Sequence, residues 1–151
     1  TAMVAAPDVF VGTVPGAGAI YVYTTGSNWH NAADTRTSTI AQPRPQSSGY
    51  YGSTVEVDAK GTTAVVGADG IGTNGQGGVF RLHPAPGSSG SRWSPNSVKQ
   101  RLIRSPDLAG PGRLGTDTGL SADGKTIVAT APFVTVNGKE HQGAAYFFTV
   151  K

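Results

Sequence analysis

Apolar residues along this chain fall into short runs of about four to six positions separated by turn residues. The runs at 2–6, 19–23, 64–68, 79–82, 127–131 and 144–148 are rich in Val, Ile, Tyr, Phe and Ala. Two further stretches, 51–57 and 114–120, alternate in character and end in the turns Asp58-Ala59-Lys60-Gly61 and Ser121-Ala122-Asp123-Gly124. Each turn leads straight into the next apolar run. Short β-rich runs joined in this way predict antiparallel hairpins. No stretch carries apolar residues at i, i+3, i+4 and i+7 over ten positions free of Gly and Pro, so no helix is expected. The expected fold class is all-β.

The runs also repeat. Ala2-Met3-Val4-Ala5-Ala6-Pro7, Ala64-Val65-Val66-Gly67-Ala68-Asp69 and Ile127-Val128-Ala129-Thr130-Ala131-Pro132 superimpose. Each is followed, after a loop, by a second apolar run: Gly18–Tyr23, Gly77–Leu82 and Gly143–Phe148. Ala6, Ala68 and Ala131 are spaced by 62 and 63 residues. Trp29 and Trp93 each follow a Gly/Ser-rich turn and precede candidate fourth strands at 37–41 and 98–103. One unit therefore reads as four antiparallel strands. The chain divides into a partial unit at 1–48 that lacks its first strand, a complete unit at 49–111, and a partial unit at 112–151 that lacks its fourth. Four-stranded units at a fixed period suggest blades of a β-propeller. Small residues in the most apolar strands (Ala5, Gly67, Ala129) suit crowded inner strands. A β-sandwich is the alternative, since even strand spacing fits it too.

These residues resemble the FG-GAP repeat family, the propeller repeats of integrin α-subunit heads and of many secreted bacterial proteins. Tyr51-Gly52 and Leu114-Gly115 stand where the family has Phe-Gly. Ala5-Ala6-Pro7, Gly67-Ala68-Asp69 and Thr130-Ala131-Pro132 stand where it has Gly-Ala-Pro. The match spans nearly the whole chain. It implies an extracellular, secreted module with adhesive or structural roles. Calcium-binding members carry an acidic loop in the first hairpin, because calcium takes six to eight oxygens. The matching turns here offer one carboxylate each, Asp58 and Asp123, and one contains Lys60, so no calcium or other cofactor is expected. A ring of this kind needs about four to eight blades. Roughly two and a half cannot close it, so the chain is a fragment, a compact non-ring variant, or a subunit whose open strand edges pair with copies of itself or with a sister chain, and the last has a physical driving force.

Composition narrows the function further. The chain has 151 residues, no Cys, 22 Gly, 10 Pro and a net charge of +3. Without cysteine there are no disulfides, thiolate metal sites or Cys nucleophiles. No apolar run approaches the length of a membrane-spanning helix, and no membrane insertion is expected. A start at Thr1 without a basic-plus-apolar leader is what a processed or excised polypeptide would show. Between Arg81 and Arg113 lie six basic residues and one acid, Asp107. That local excess could favour an anionic partner, but 12 basic against nine acidic residues overall is too little for a nucleic-acid surface, and none is expected.

The remaining motifs are weak. Gly70-Ile71-Gly72-Thr73-Asn74-Gly75 fits G-x-G-x-x-G, but a strand pattern follows it where a dinucleotide site needs a helix. His30, His83 and His141 lie far apart without a second ligand nearby, so no zinc site is expected. No G-x-S-x-G elbow is present, and no catalytic residue is assigned. The expected function is a non-enzymatic structural or adhesive subunit that self-assembles, as an oligomer or filament. The alternative is a carbohydrate- or protein-binding module of lectin or adhesin type, and a secreted hydrolase is a distant third. Candidate partner or glycan contacts are Trp29, Trp93, Tyr50, Arg101 and Arg104: aromatic faces that stack on sugars or anchor partners, and exposed cations.

Overall fold

Ten strands in three antiparallel sheets, with no helix, make up the computed structural model of residues 1–24, 36–85, 93–106, 108 and 110–150. The first sheet contains β1 (Ala2–Ala6), β2 (Ala19–Tyr23) and β3 (Arg36–Ala41) in that order. The second contains β4 (Tyr51–Val57), β5 (Ala64–Ala68), β6 (Val79–Pro84) and β7 (Val98–Ile103). The third contains β8 (Thr118–Leu120), β9 (Thr126–Ala131) and β10 (Ala144–Thr149). Within each sheet every strand pairs with its neighbour in sequence, and no sheet closes into a barrel.

The period-two side-chain alternation of strands explains how the sheets stack. On one face of the second sheet, Ala64, Val66, Ala68, Phe80 and Leu82 pack against Ile20, Val22 and Ile40 of the first. Val65 and Val79 point the other way, and pack with Ile127, Ala129, Ala131 and Leu114. β5 is therefore buried along its whole length. The second sheet thus sits between the other two with a core on each side. Each fully buried Val, Leu or Ile contributes about 1.5–3 kcal/mol, so both sheet–sheet contacts are substantial.

The tight turns are closed by their own side chains. Asp58 accepts from Thr62 N at 2.7 Å and from Thr62 Oγ1 at 2.8 Å across the β4–β5 turn. In the β8–β9 turn, Ser121 Oγ donates to Asp123 at 2.6 Å and accepts from Thr126 N at 2.9 Å. β8 is shorter than the alternating pattern of 114–120 predicts. The first residues of that stretch serve another purpose: Leu114 forms a parallel bridge to Gly77, in the loop before β6.

Candidate interaction surfaces

Two backbone joints hold the sheets in sequence, and both are built from glycines. At the first, Tyr50 N donates to Gly16 O at 3.0 Å and Tyr51 N to Ala17 O at 3.1 Å. At the second, Arg113 N donates to Gly75 O at 3.1 Å and Leu114 N to Gln76 O at 2.9 Å. Gly18 (φ +79°) and Gly77 (φ +77°) face the incoming strands so closely that a Cβ would lie 2.1 Å from Tyr51 O and 2.2 Å from Leu114 O. Tyr50 (φ +51°) and Arg113 (φ +55°) occupy the left-handed region at matching places. Strained non-glycine residues of this kind persist only where the surroundings impose them. The second joint has an added tie, an ion pair of 2.6 Å between Arg113 and the buried Asp69. Half-buried Tyr50 therefore belongs to a joint, with its ring beside Gly16 and Gly70.

The β6–β7 pair carries a ladder of positive charge. Register places Arg81 opposite Arg101 and His83 opposite Lys99, on the face that Val79 and Ile103 share. That face turns toward the third sheet, because Val79 and Ile103 belong to the core between the two. Arg81 Nε and His83 Nδ1 are buried without hydrogen-bond partners. Burial, followed by the charges of Arg81 and Lys99, holds the His83 imidazole below its ordinary pKa. Arg101 is exposed and opens onto a groove of about 450 Å3 along β10, with Ile103, Phe147, Phe148, Thr149 and Val150.

Arg104 lies elsewhere. It lines a groove of about 360 Å3 between the first two sheets, together with Arg44, Gln46, Gln100 and Leu102. The sequence had placed both arginines in one basic stretch; the structure sends them to different sheet junctions. Arg44 was missed because it comes from the first sheet, far from that stretch in sequence. Trp93 is corrected as a contact residue: it is only 2% exposed within the first core, and its carbonyl accepts a hydrogen bond from Ser38 Oγ. A ring so enclosed offers no face to a sugar. Trp29 lies outside the described residues. Exposed aromatic surface comes instead from Phe147, which is 74% exposed, and Phe10, 68%. Phe147 could have been suspected, since in Tyr146-Phe147-Phe148 alternation turns the middle ring away from the other two.

The described residues contain no cluster of three His, Asp or Glu able to hold a metal ion. The carboxylates of Asp58 and Asp123 are engaged within their own turns. Gly70–Gly75 lies in the loop between β5 and β6, and a strand follows it, so no helix N-terminus stands there for a pyrophosphate. Comparison of the chain with protein-family models, curated proteins and solved structures finds no match.

Proposed function

We propose that this chain is a non-enzymatic structural or adhesive module, with blades of FG-GAP propeller type, that assembles with further copies of itself or a sister chain outside the cell. The observation that carries this reading is that the first and third sheets each have three strands where the second has four. In the second sheet β7 covers the outer edge of β6, whereas among the described residues no strand flanks β10 on that side. Likewise β4 flanks β5, whereas among the described residues no strand flanks β1 on the corresponding side. An uncovered edge is a row of unsatisfied donors and acceptors that templates pairing with another strand. The outward faces of these sheets are also apolar in part, with Phe147 74% and Val4 49% exposed. Two different open ends make a head-to-tail contact, which propagates as a filament unless its rotation closes it into a ring.

Light scattering after size exclusion, over a wide concentration range, tests the reading, with negative-stain images of the largest species. Growth of the mass with concentration supports it. A monomer at the highest attainable concentration, with no sister chain captured from the native source, overturns it.

A second reading, an anion-binding module for acidic glycans or proteins, is favoured by the groove that brings Arg44 and Arg104 together. Its test is heparin-column retention of the chain against Arg44→Gln and Arg104→Gln variants. Unchanged retention would remove it.

A further inference from the structure

The loop that ends at Gly143 has the shape of the two glycine joints described above, but no described residue fills it. Gly18 N donates to Val9 O at 3.1 Å, Gly77 N to Ile71 O at 2.9 Å and Gly143 N to Val134 O at 3.1 Å. The φ angles agree as well: +79°, +77° and +76° at Gly18, Gly77 and Gly143. Two residues earlier they are +58° at Gly16, +64° at Gly75 and +56° at His141. Even the excursions before the first and third glycines match, with paired bonds between Val11 and Val14 and between Val136 and Lys139. The difference lies in occupancy. The carbonyls of Gly16, Ala17, Gly75 and Gln76 each accept a backbone N–H from the next sheet. Among the described residues, no N–H reaches those of His141 or Gln142. The three atoms nearest to a Cβ at Gly143 all belong to Pro132, at 3.2–3.6 Å, where the other two glycines would meet an incoming carbonyl at 2.1–2.2 Å.

We infer that residues 141–143 are a third joint of the same kind, which takes an extended segment from outside residues 1–151 with the pattern aromatic–aromatic–glycine. The inference rests on the assembly reading and names the chemistry of the partner at that end. The backbone part of the recognition is set by the filled joints: two successive N–H groups donate to His141 O and Gln142 O. The side-chain part follows from the residues around it. Pro132 stands here where the first joint has Pro7 and the second has Asp69, the partner of Arg113. The third joint therefore resembles the first, whose occupant is Tyr50-Tyr51-Gly52, and lacks the carboxylate that holds an arginine. Register places Ala145 and Phe147 on the outward face of β10, so an aromatic ring at the second position covers the exposed phenyl group. Thr130 stands at the repeat position of Ala5 and Gly67. At the filled joints a Cβ on the third residue would lie 2.9 Å from Ala19 O (Gly52) or 2.5 Å from Gly78 O (Gly115). Ala144 follows Gly143 as Ala19 and Gly78 follow Gly18 and Gly77, so the third position takes glycine.

The probe is a synthetic peptide with the sequence of residues 48–57, titrated into the 15N-labelled full chain and followed by amide shifts. Saturable shifts centred on Gln142, Gly143 and Thr130 are expected. Methylating the two peptide nitrogens that correspond to Tyr50 and Tyr51 removes both donors, and should weaken binding by roughly tenfold or more. Gly143→Ala puts a methyl group into the seat and should do the same. The methylated peptide keeps the test decisive if that variant folds poorly. Absence of shifts at 141–143, or equal binding of the methylated peptide, overturns the inference. Light scattering on the same samples separates it from the broader reading. A chain that assembles yet ignores the peptide refutes only the third joint. A chain that stays monomeric but binds it refutes only self-assembly.

Discussion

The phenol of Tyr51 donates to Gln100 Oε1 at 2.8 Å, and Gln100 Nε2 in turn donates to Ala41 O at 2.8 Å. This relay joins β4 to β7 and both to β3 of the neighbouring sheet. Tyr51 is fully buried, and burial pushes its pKa far above the ordinary phenol value, so it remains a donor at any pH the fold survives. The ring also packs edge-on against Phe80, with centroids 5.2 Å apart. Tyr51→Phe keeps that packing and leaves Gln100 Oε1 unsatisfied, which should cost about 1–2 kcal/mol. Urea unfolding of the two proteins checks this. Equal midpoints would show that water replaces the hydroxyl.

Much of the architecture was legible because strands advertise themselves through period two. Val66 and Ala68 face one core while Val65 faces the other, and a run such as Ala64–Ala68 with no polar member is what a strand buried on both faces requires. The recurrence of Gly18, Gly77 and Gly143 was visible too, although its cause, a carbonyl arriving at the Cβ position, needs coordinates. The charge ladder was not legible. Arg81 and Arg101 are 20 residues apart in sequence, and only the β6–β7 register sets them opposite each other. Trp93 shows the limit of composition: a Trp after a Gly/Ser-rich turn can serve as a sugar platform, its recurrence at the repeat position of Trp29 argues for packing, and burial decides for the core.

Asp58 predicts an acid-labile turn. Burial raises its pKa, but the hydrogen bonds from Thr62 and Thr63 outweigh burial and hold it below the ordinary aspartate value. A carboxylate depressed in the folded state stabilises the fold above its unfolded pKa, about 3.9. That contribution is lost as pH falls through the folded value. Stability measured by denaturant from pH 6 down to pH 2, on the order of one unit per step, should fall more steeply for the natural chain than for Asp58→Asn. Identical slopes would mean that the turn does not depend on the charge.

The ladder of Arg81, Arg101, His83 and Lys99 predicts a fold relieved by anions. Like charges directly opposite on paired strands are destabilising by roughly 0.2–1 kcal/mol. Arg101→Glu should therefore raise stability at low salt, and the gain should shrink as salt screens the pair. The unfolding midpoint at two ionic strengths gives the answer, and a loss at both would contradict it.

His83 adds a pH arm to the same ladder. Its folded pKa is depressed, so its contribution is present above the unfolded value of about 6.5 and is lost as pH falls below it. His83→Gln should flatten the stability profile over that interval. A profile unchanged by the substitution would place the slope on another group.

The glycine joints predict a contrast between two chemically identical substitutions. Gly61 (φ +64°) has nothing within 4 Å of the Cβ position, whereas at Gly77 (φ +77°) a Cβ would lie 2.2 Å from Leu114 O and 2.5 Å from Leu114 N. Both place alanine in the left-handed region, a conformational cost of about 1 kcal/mol. Only Gly77→Ala must also force the second and third sheets apart, at a joint made of backbone that cannot rotate away. Gly61→Ala should therefore cost about 1 kcal/mol, and Gly77→Ala about 3 kcal/mol or more. Denaturant unfolding of both variants separates the two contributions. If the losses were equal, the close approach at Gly77 would contribute nothing beyond its φ angle, and the tight joint would not be what holds these sheets in sequence.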